Sequence, residues 1–164
     1  MRILVTYGSK SGGTEGLAQM LGLNLRNEQC EVDVLPPNAV EGIDTYDAVV
    51  VGGALYAKRW HKAARRFVKR HAADLRKRPT YFFSSGPLDD TASASDIPPV
   101  KGVTALMTAV GARGHVTFGG RLLPDAKGFP ASAMAKTRSG DWRDPEHVRT
   151  WARFVATELD VGTK

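Results

Sequence analysis

The chain has 164 residues and a formal net charge of +6, and 42% of its residues are hydrophobic while 24% are charged. This length and composition suit one domain with a buried core, and the lack of an apolar run of about eighteen residues excludes a transmembrane helix. The single cysteine, Cys30, excludes a disulfide framework and a cysteine-rich metal site.

The first predicted elements are a strand at Arg2–Tyr7 and a helix at Thr14–Asn27, joined by a loop of Gly, Ser and Thr. In such a loop, backbone N–H groups and hydroxyls point at one spot, where the helix dipole also favours an anion. The loop therefore predicts a phosphate site. Its expected members are Ser9, Lys10, Ser11, Gly12, Gly13 and Thr14.

The spacing of the loop residues narrows the kind of phosphate compound. Gly8 and Gly13 have the spacing of an ATP- or GTP-binding P-loop, but Thr14 and Glu15 stand where that loop requires Lys and then Ser or Thr. The dinucleotide pattern G-x-G-x-x-G also fails, because no glycine lies two residues after Gly8. A terminal phosphate monoester remains, and the alternative is a turn that binds no ligand.

The rest of the chain predicts alternating strands and helices. The further predicted strands are Cys30–Leu35, Ala48–Gly53, Thr80–Ser85 and His115–Phe118. The further predicted helices are His61–Lys77, Lys101–Ala112 and Asp144–Leu159, the last with Asp144 as its cap and Pro145 at its first position. This alternation predicts a parallel sheet covered on both faces. The unbroken apolar runs Val49–Val51 and Tyr81–Phe83 are typical of central strands, and Gly119–Gly140 is the one long irregular stretch.

Ligands of open α/β sheets bind beyond the carboxyl ends of the strands, so the loops after the first, third and fourth strands should converge. The third strand is followed by a glycine pair and two aromatics, of which Tyr56 is the favoured neighbour of a flat ring. Trp60 also fits the apolar face of the next helix, so a core role stays open for it. The expected ring contacts from this loop are Gly53, Ala54, Leu55, Tyr56 and Trp60.

The loop after the fourth strand supplies small and polar residues without an aromatic. Its expected ligand contacts are Ser84, Ser85, Gly86 and Leu88. One face of a bound ring would then be open, which suits either a planar substrate or a loosely covered carrier. Turn formation at Gly86-Pro87 is the alternative without a ligand.

The residues of the first loop and the start of the first helix resemble the phosphate-loop pattern of the flavodoxins. The positions that fit it are Tyr7, Ser9, Gly12, Thr14, Ala18 and Leu21, whereas Thr6 stands where the family usually has an apolar residue. The resemblance implies an α/β flavodoxin-like three-layer sandwich, with a five-stranded parallel sheet of order 2-1-3-4-5 in a single domain over residues 1–164. It also implies that FMN is the cofactor.

The basic charge balance and three further segments resemble the flavodoxin-like branch that includes menaquinone-dependent protoporphyrinogen oxidase. The segments are Phe67–Ala72, Gly119–Leu122 and Asp141-Trp142; the stretch between Arg121 and Asp141 is shorter than the insert of that oxidase. This resemblance implies an FMN-dependent oxidoreductase that passes electrons between a reduced organic substrate, with protoporphyrinogen as one candidate, and a quinone-like acceptor. A non-catalytic FMN electron carrier and a flavin-free regulatory or interaction domain remain alternatives.

Charge is concentrated in residues 58–78, which contain ten basic residues and one acidic residue and so carry +9, while the rest of the chain sums to −3. On the helix predicted at 61–77, a basic stripe lies opposite Phe67 and Val68. It consists of Lys62, Arg65, Arg66, Lys69 and Arg70. It is either an ordinary solvated face or a surface for an anionic membrane or an acidic redox partner protein.

Three cations, Lys58, Arg59 and Arg121, fall in loops expected near the ring and are candidates for binding an anionic substrate. The four histidines are scattered, so no metal site and no nucleophile–base pair is predicted, and no catalytic residue is assigned. Nucleic acid is not expected, since no recognition motif accompanies the basic stripe. The N-terminus enters a strand without a charged leader, which predicts a cytoplasmic protein, with peripheral membrane contact as a further option.

Overall fold

The computed structural model describes residues 1–10, 12–122 and 140–162. The strands are β1 (Arg2–Gly8), β2 (Glu31–Leu35), β3 (Ala48–Tyr56), β4 (Arg59–Trp60), β5 (Thr80–Ser85), β6 (Gly114–Phe118), β7 (Arg121–Leu122) and β8 (Gly140–Asp141). The helices are α1 (Gly13–Asn27), α2 (Lys62–Arg70), α3 (Ala72–Leu75), α4 (Thr91–Ala94), α5 (Lys101–Val110) and α6 (Pro145–Gly162), with one 3-10 turn at Pro37–Ala39.

The central sheet has the order β2-β1-β3-β5-β6, and these five strands are parallel. Counting only the parallel strands, this is the predicted order 2-1-3-4-5, and the flavodoxin-like α/β class is confirmed. The predicted number of strands is wrong by one, because β4 pairs antiparallel with the end of β3 and makes a six-stranded sheet. β7 and β8 form a separate two-stranded antiparallel ribbon, in which Arg121 lies opposite Asp141 and Leu122 lies opposite Gly140.

The sheet lies between two layers of helices. On one face, α1 and α6 pack against Ile3, Val5 and Val50; on the other, α2, α3 and α5 pack against Leu4 and Val49. The central runs Val49–Val51 and Tyr81–Phe83 are fully buried, as the sequence predicts for strands covered on both sides. This arrangement directs the carboxyl ends of β1, β3 and β5 to the same edge of the sheet.

Several boundaries differ from the prediction for local reasons. The helix predicted at 61–77 is divided at His71, whose φ of −104° and ψ of 16° depart from helical values, into α2 and α3. Helix α5 ends two residues early because Gly111 adopts a φ of +67°, the left-handed conformation common just after a helix. The predicted cap at Asp144 is confirmed, since its Oδ1 accepts a hydrogen bond from the N–H of Glu146 at 3.0 Å.

The segment between β3 and α2 is a hairpin, although the sequence predicts an open loop there. β3 extends to Tyr56, and the two turn residues Ala57 and Lys58 have φ angles of +49° and +63°. Positive φ at both central positions is the type I′ geometry, which normally selects Asn-Gly. Because both residues carry a Cβ, each costs about 1–2 kcal/mol in this conformation.

Replacing Ala57 by glycine should therefore stabilise the protein. We expect the free energy of unfolding, measured by urea titration, to rise by about 0.5–1 kcal/mol, because the relief of strain exceeds the added chain entropy of glycine. Ala105→Gly is the matched control, since Ala105 is exposed in the middle of α5; it should lower the same free energy by about 0.5–1 kcal/mol. A loss of stability in both variants would contradict the strained turn.

Candidate functional site

The loop between β1 and α1 has the geometry of an anion site. Gly12 is the N-cap of α1 with a φ of +81°, a conformation that favours glycine, and as a glycine it has no side chain with which to cap the helix. Ser9 Oγ accepts a hydrogen bond from the N–H of Gly12 at 3.1 Å, which curls the loop. Lys10 is exposed, Gly13 is buried, and Ser11 lies outside the described residues. The first turn of α1 thus directs its N–H groups and the positive end of its dipole toward this loop.

Two hydrogen bonds bring the three predicted loops together. Thr14 is 1% exposed and its Oγ1 lies 2.9 Å from Ser85 Oγ, at the end of β5. The backbone N–H of Lys10 donates to Tyr56 Oη at 3.2 Å, which joins the first loop to the end of β3. The predicted convergence of the segments after β1, β3 and β5 is therefore present in the structure.

The β3–β4 hairpin and the segment after β5 form the second part of the site. Leu55 packs directly on Gly86, where an added Cβ would lie 3.0 Å from that of Leu55. Tyr56 and Leu88 are both partly exposed, so each of the two segments has one accessible side chain that could contact a ring. Tyr56 also approaches His61 edge-on at 6.0 Å between ring centroids. The contacts of Leu55, Tyr56, Gly86 and Leu88 with a cofactor stay predictions.

The glycine pair has a different role from the one expected. Gly53 and Ala54 are buried within β3, and the indole of Trp60 covers Gly53 so closely that a Cβ there would lie 2.7 Å from the ring. A Cβ on Gly52 would overlap the ring of Phe83 in the same way. Both glycines are therefore explained by the packing of aromatic side chains, which corrects the interpretation that the pair is open to a flat ring.

Of the two roles left open for Trp60, the structure shows the core role. Its side chain is 2% exposed, its ring lies 4.9 Å from that of Phe82, and it belongs to the core under α2 and α5. Its Nε1–H donates to Ser84 Oγ at 2.8 Å, and that hydroxyl is also 2.9 Å from His115 Nε2. The Ser84 hydroxyl is thus committed to an internal network, so neither side chain is available to a cofactor.

Burial lowers the pKa of His115 to about 4, and the nearby charge of Asp96 only partly opposes this effect. The folded protein therefore keeps this imidazole neutral at pH values where the unfolded chain, with an ordinary pKa of 6.5, already binds a proton. The stability that depends on neutral His115 is complete above pH 6.5 and is lost as the pH falls toward 4.

We expect His115→Gln, which cannot titrate, to flatten the acid limb of the stability curve. In the wild type, this one group should lower the free energy of unfolding by about 3 kcal/mol between pH 7.5 and pH 4, from the size of its pKa shift. Urea unfolding of both proteins across this range measures the difference, which removes the common contribution of the other titrating groups. Parallel curves would show that His115 does not titrate differently on folding.

The three predicted substrate cations occupy two different places. Lys58 and Arg59 are exposed at the β3–β4 hairpin, beside Tyr56. Arg121 instead lies over the start of α1, where its backbone is 3.5–3.6 Å from the position of a Cβ on Gly13. The hairpin cations and Arg121 are therefore attached to different parts of the site.

The sequence did not predict that the β7–β8 ribbon and Arg143 lie against the first residues of α1. This arginine forms a two-pronged ion pair with Asp141, at 2.9 Å and 2.7 Å, and packs on Gly16 in the second turn of α1. The pairing keeps the pKa of Asp141 below its usual value. Only the spacing Asp-x-Arg in residues 141–143 hints at the ion pair, and nothing in it indicates contact with a helix more than a hundred residues earlier.

Other features of the described residues lie away from this edge. A shallow groove of about 880 Å³, lined in part by Met1, Cys30, Arg113 and Leu159, lies at the amino ends of the strands. Since ligands of open parallel sheets bind at the carboxyl ends, we do not assign the groove to the site.

No described group of three or more His, Cys, Asp or Glu side chains could hold a metal ion. None of the described helices has the length and apolar content needed to cross a membrane.

Comparison with known proteins gives two kinds of match in sequence. A family model described as "Flavodoxin domain" matches residues 4–129. Protoporphyrinogen IX dehydrogenase (quinone) of Escherichia coli strain K12 is 30% identical over 86 residues, which cover 51% of this chain and 48% of that protein. The corresponding protein of Escherichia coli O157:H7 matches with the same figures. The alignment thus spans about half the length of the curated relatives.

Solved structures share the fold over most of the chain. Rubredoxin oxygen:oxidoreductase from Desulfovibrio gigas superimposes with a TM-score of 0.66 at 18% identity, covering 98% of this chain and 36% of that one. A flavodoxin from Streptococcus pneumoniae TIGR4 superimposes with a TM-score of 0.62 at 17% identity, covering 96% of this chain and 99% of that one. At these identities the likeness shows the fold alone.

Proposed function

This chain belongs to the flavodoxin family, and from that premise we propose that it is an FMN-dependent oxidoreductase. In this proposal it passes electrons between a reduced organic substrate, with protoporphyrinogen as the first to test, and a quinone-like acceptor. The observation that carries the proposal is the geometry of the loop between β1 and α1, in which Gly12 at a φ of +81° is the N-cap of α1 and has no side chain to cap it. Such an N-terminus binds a phosphate monoester with its own N–H groups.

The residues present fit FMN on two structural grounds. First, the N-terminus of α1 meets the ends of β3 and β5 through the Lys10–Tyr56 and Thr14–Ser85 hydrogen bonds, so one ligand could contact all three segments. Second, Arg121 lies against the same loop, and its Nε is buried without a hydrogen-bond partner in the part of the chain that the structure describes. Both features suit a ligand with a phosphate at one end and a ring at the other.

FMN, when bound, supplies a ring that accepts and donates electrons. The chain's own residues bind and orient it. Ser9, Lys10, Ser11, Gly12, Gly13 and Thr14 would hold the phosphate, while Leu55, Tyr56, Gly86 and Leu88 would lie beside the ring and exclude water from it. Lys58 and Arg59, at the adjacent hairpin, would attract the carboxylates of an anionic substrate.

The relatives in Escherichia coli are protoporphyrinogen IX dehydrogenases that use a quinone, and the substrate and acceptor of this proposal are taken from them. The loop after β5, which carries no aromatic residue, supports access of a planar substrate to one face of the ring. The same open face would also suit an electron carrier without a substrate, and a flavin-free interaction domain would need only the fold. These three functions predict different results in two measurements.

The first measurement is the visible spectrum of the purified protein, followed by identification by mass of the molecule released on denaturation. We expect flavin absorbance and FMN; a colourless protein that does not bind added FMN would reject both redox functions. The second is anaerobic mixing with protoporphyrinogen, with and without menaquinone. Repeated turnover that requires the quinone supports the enzyme, whereas no oxidation of the porphyrinogen by the FMN-loaded protein would favour the carrier.

The basic stripe of α2 supports a proposal about partners. Phe67 and Val68 are buried while Lys62, Arg66, Lys69 and Arg70 are exposed, as the sequence predicts; Arg65 is partly buried and donates to the carbonyl of Trp60 at 3.1 Å. The first turn of α2 holds no acidic residue, although the helix dipole favours one there. An acidic redox partner protein would compensate this charge beside the site, as would peripheral contact of a cytoplasmic protein with an anionic membrane.

A further inference from the structure

Arg121 is fixed in place by the backbone around it. The N–H of the preceding residue, Gly120, donates to the carbonyl of Pro87 at 2.9 Å, and the carbonyl of Gly120 accepts from the N–H of Trp142 at 2.9 Å. The backbone of Arg121 lies opposite that of Asp141 in the antiparallel β7–β8 ribbon. These contacts fix the backbone position from which the Arg121 side chain extends.

The guanidinium of Arg121 extends to the phosphate loop. Its Nη2 lies 3.5 Å from the position that a Cβ on Gly12 would take, and its own Cβ and backbone lie 3.5–3.6 Å from the corresponding position on Gly13. Its Nε is buried and has no hydrogen-bond partner among the described residues. A buried, unsatisfied guanidinium nitrogen is costly unless a ligand or another group completes it.

The carboxylate of Asp141, across the ribbon from Arg121, is already paired with another arginine. Both oxygens of Asp141 accept hydrogen bonds from Arg143, at 2.9 Å and 2.7 Å. These bonds lower the pKa of Asp141, and the charge of Arg121 makes a smaller contribution in the same direction. The ribbon residues Arg121, Asp141 and Arg143 therefore sum to a charge of +1, and the guanidinium of Arg121 lies against the start of α1, where Glu15 is the acidic residue of the first turn.

We propose that Arg121 is a binding residue for the phosphate of FMN, which it contacts through its guanidinium beside Gly12 and Gly13. This inference rests on the proposed function and replaces the expectation that Arg121 binds a substrate. The backbone N–H groups and hydroxyls of the loop supply neutral donors, whereas Arg121 adds a positive charge to that of the exposed Lys10. Guanidinium–phosphate hydrogen bonds are among the strongest available to a protein, because both partners are charged.

The test is the affinity of the flavin-free full-length protein for two ligands, FMN and riboflavin, measured by quenching of flavin fluorescence. Riboflavin has the same ring and no phosphate. We expect Arg121→Gln to weaken FMN by about 10- to 100-fold and to leave riboflavin unchanged within about twofold. Arg121→Lys should recover part of the loss, since it keeps the charge without the two-pronged geometry. Inorganic phosphate should compete with FMN less effectively in Arg121→Gln than in the wild type.

Arg149→Gln is the matched control, because it removes the same charge from an exposed position on α6. It should leave both affinities unchanged. Equal affinity of wild type and Arg121→Gln for FMN would overturn the inference while the proposed function stands. An equal loss for FMN and riboflavin would overturn it as well, because Arg121 would then support the ring site. A wild type that binds neither flavin would instead overturn the proposed function, and this inference with it.

Discussion

Replacing Trp60 by alanine is expected to lower the free energy of unfolding by about 3–5 kcal/mol, the usual cost of removing a buried aromatic side chain. The indole fills the space above Gly53, contacts the ring of Phe82, and is 2% exposed. Its removal leaves a cavity between β3 and α2 and also takes the donor from Ser84 Oγ. Urea unfolding at pH 7.5 measures the effect.

The companion variant Trp60→Phe distinguishes a core residue from a ring contact. Phenylalanine keeps most of the packing and loses the hydrogen bond to Ser84, so we expect a smaller cost of about 1–2 kcal/mol. Because the structure places the indole in the core, the affinity of this variant for FMN should equal that of the wild type. A stable Trp60→Phe protein that binds FMN much more weakly would return Trp60 to the ring site.

The elements that were predictable from sequence are those whose signal is local and strong. Val49–Val51 and Tyr81–Phe83 are apolar at every position, which is typical of a strand covered on both faces, and both are fully buried. The loop between β1 and α1 was predictable for a similar reason, because Gly12 and Gly13 lie between a strand and a helix with hydroxyl residues on either side; that it binds a phosphate stays a prediction. In both cases the residues that form the pattern lie within a few positions of one another in the sequence.

The elements that were missed depend on contacts between distant parts of the chain. β4 required a type I′ turn at Ala57-Lys58, two residues with no preference for that turn, so the hairpin is imposed by the packing of Trp60 rather than by turn sequence. The placement of Arg121 against Gly12 joins residues more than a hundred positions apart. No periodicity or short motif encodes such a contact, because it follows from how the ribbon docks on α1.

The phosphate loop itself is tested by the double variant Ser9→Ala, Thr14→Val. We expect it to weaken FMN by at least about 100-fold, because each hydroxyl is worth about 1.5–3 kcal/mol as a hydrogen-bond donor to a charged phosphate. Ser9 Oγ also accepts from the N–H of Gly12, and Thr14 Oγ1 lies 2.9 Å from Ser85 Oγ, so riboflavin affinity is needed to separate lost phosphate bonds from a change in the shape of the loop. Flavin fluorescence quenching measures the affinity.

A matched control separates this loss from a general effect of removing hydroxyls. Ser93→Ala with Thr108→Val makes the same chemical changes at exposed positions in α4 and α5, where the hydroxyls donate to the carbonyls of Asp90 and Thr104. This control should bind FMN as the wild type does. Because riboflavin lacks the phosphate, its affinity should be the same in all three proteins; a parallel loss of riboflavin and FMN in the loop variant would mean that Ser9 and Thr14 maintain the shape of the site rather than bind the phosphate.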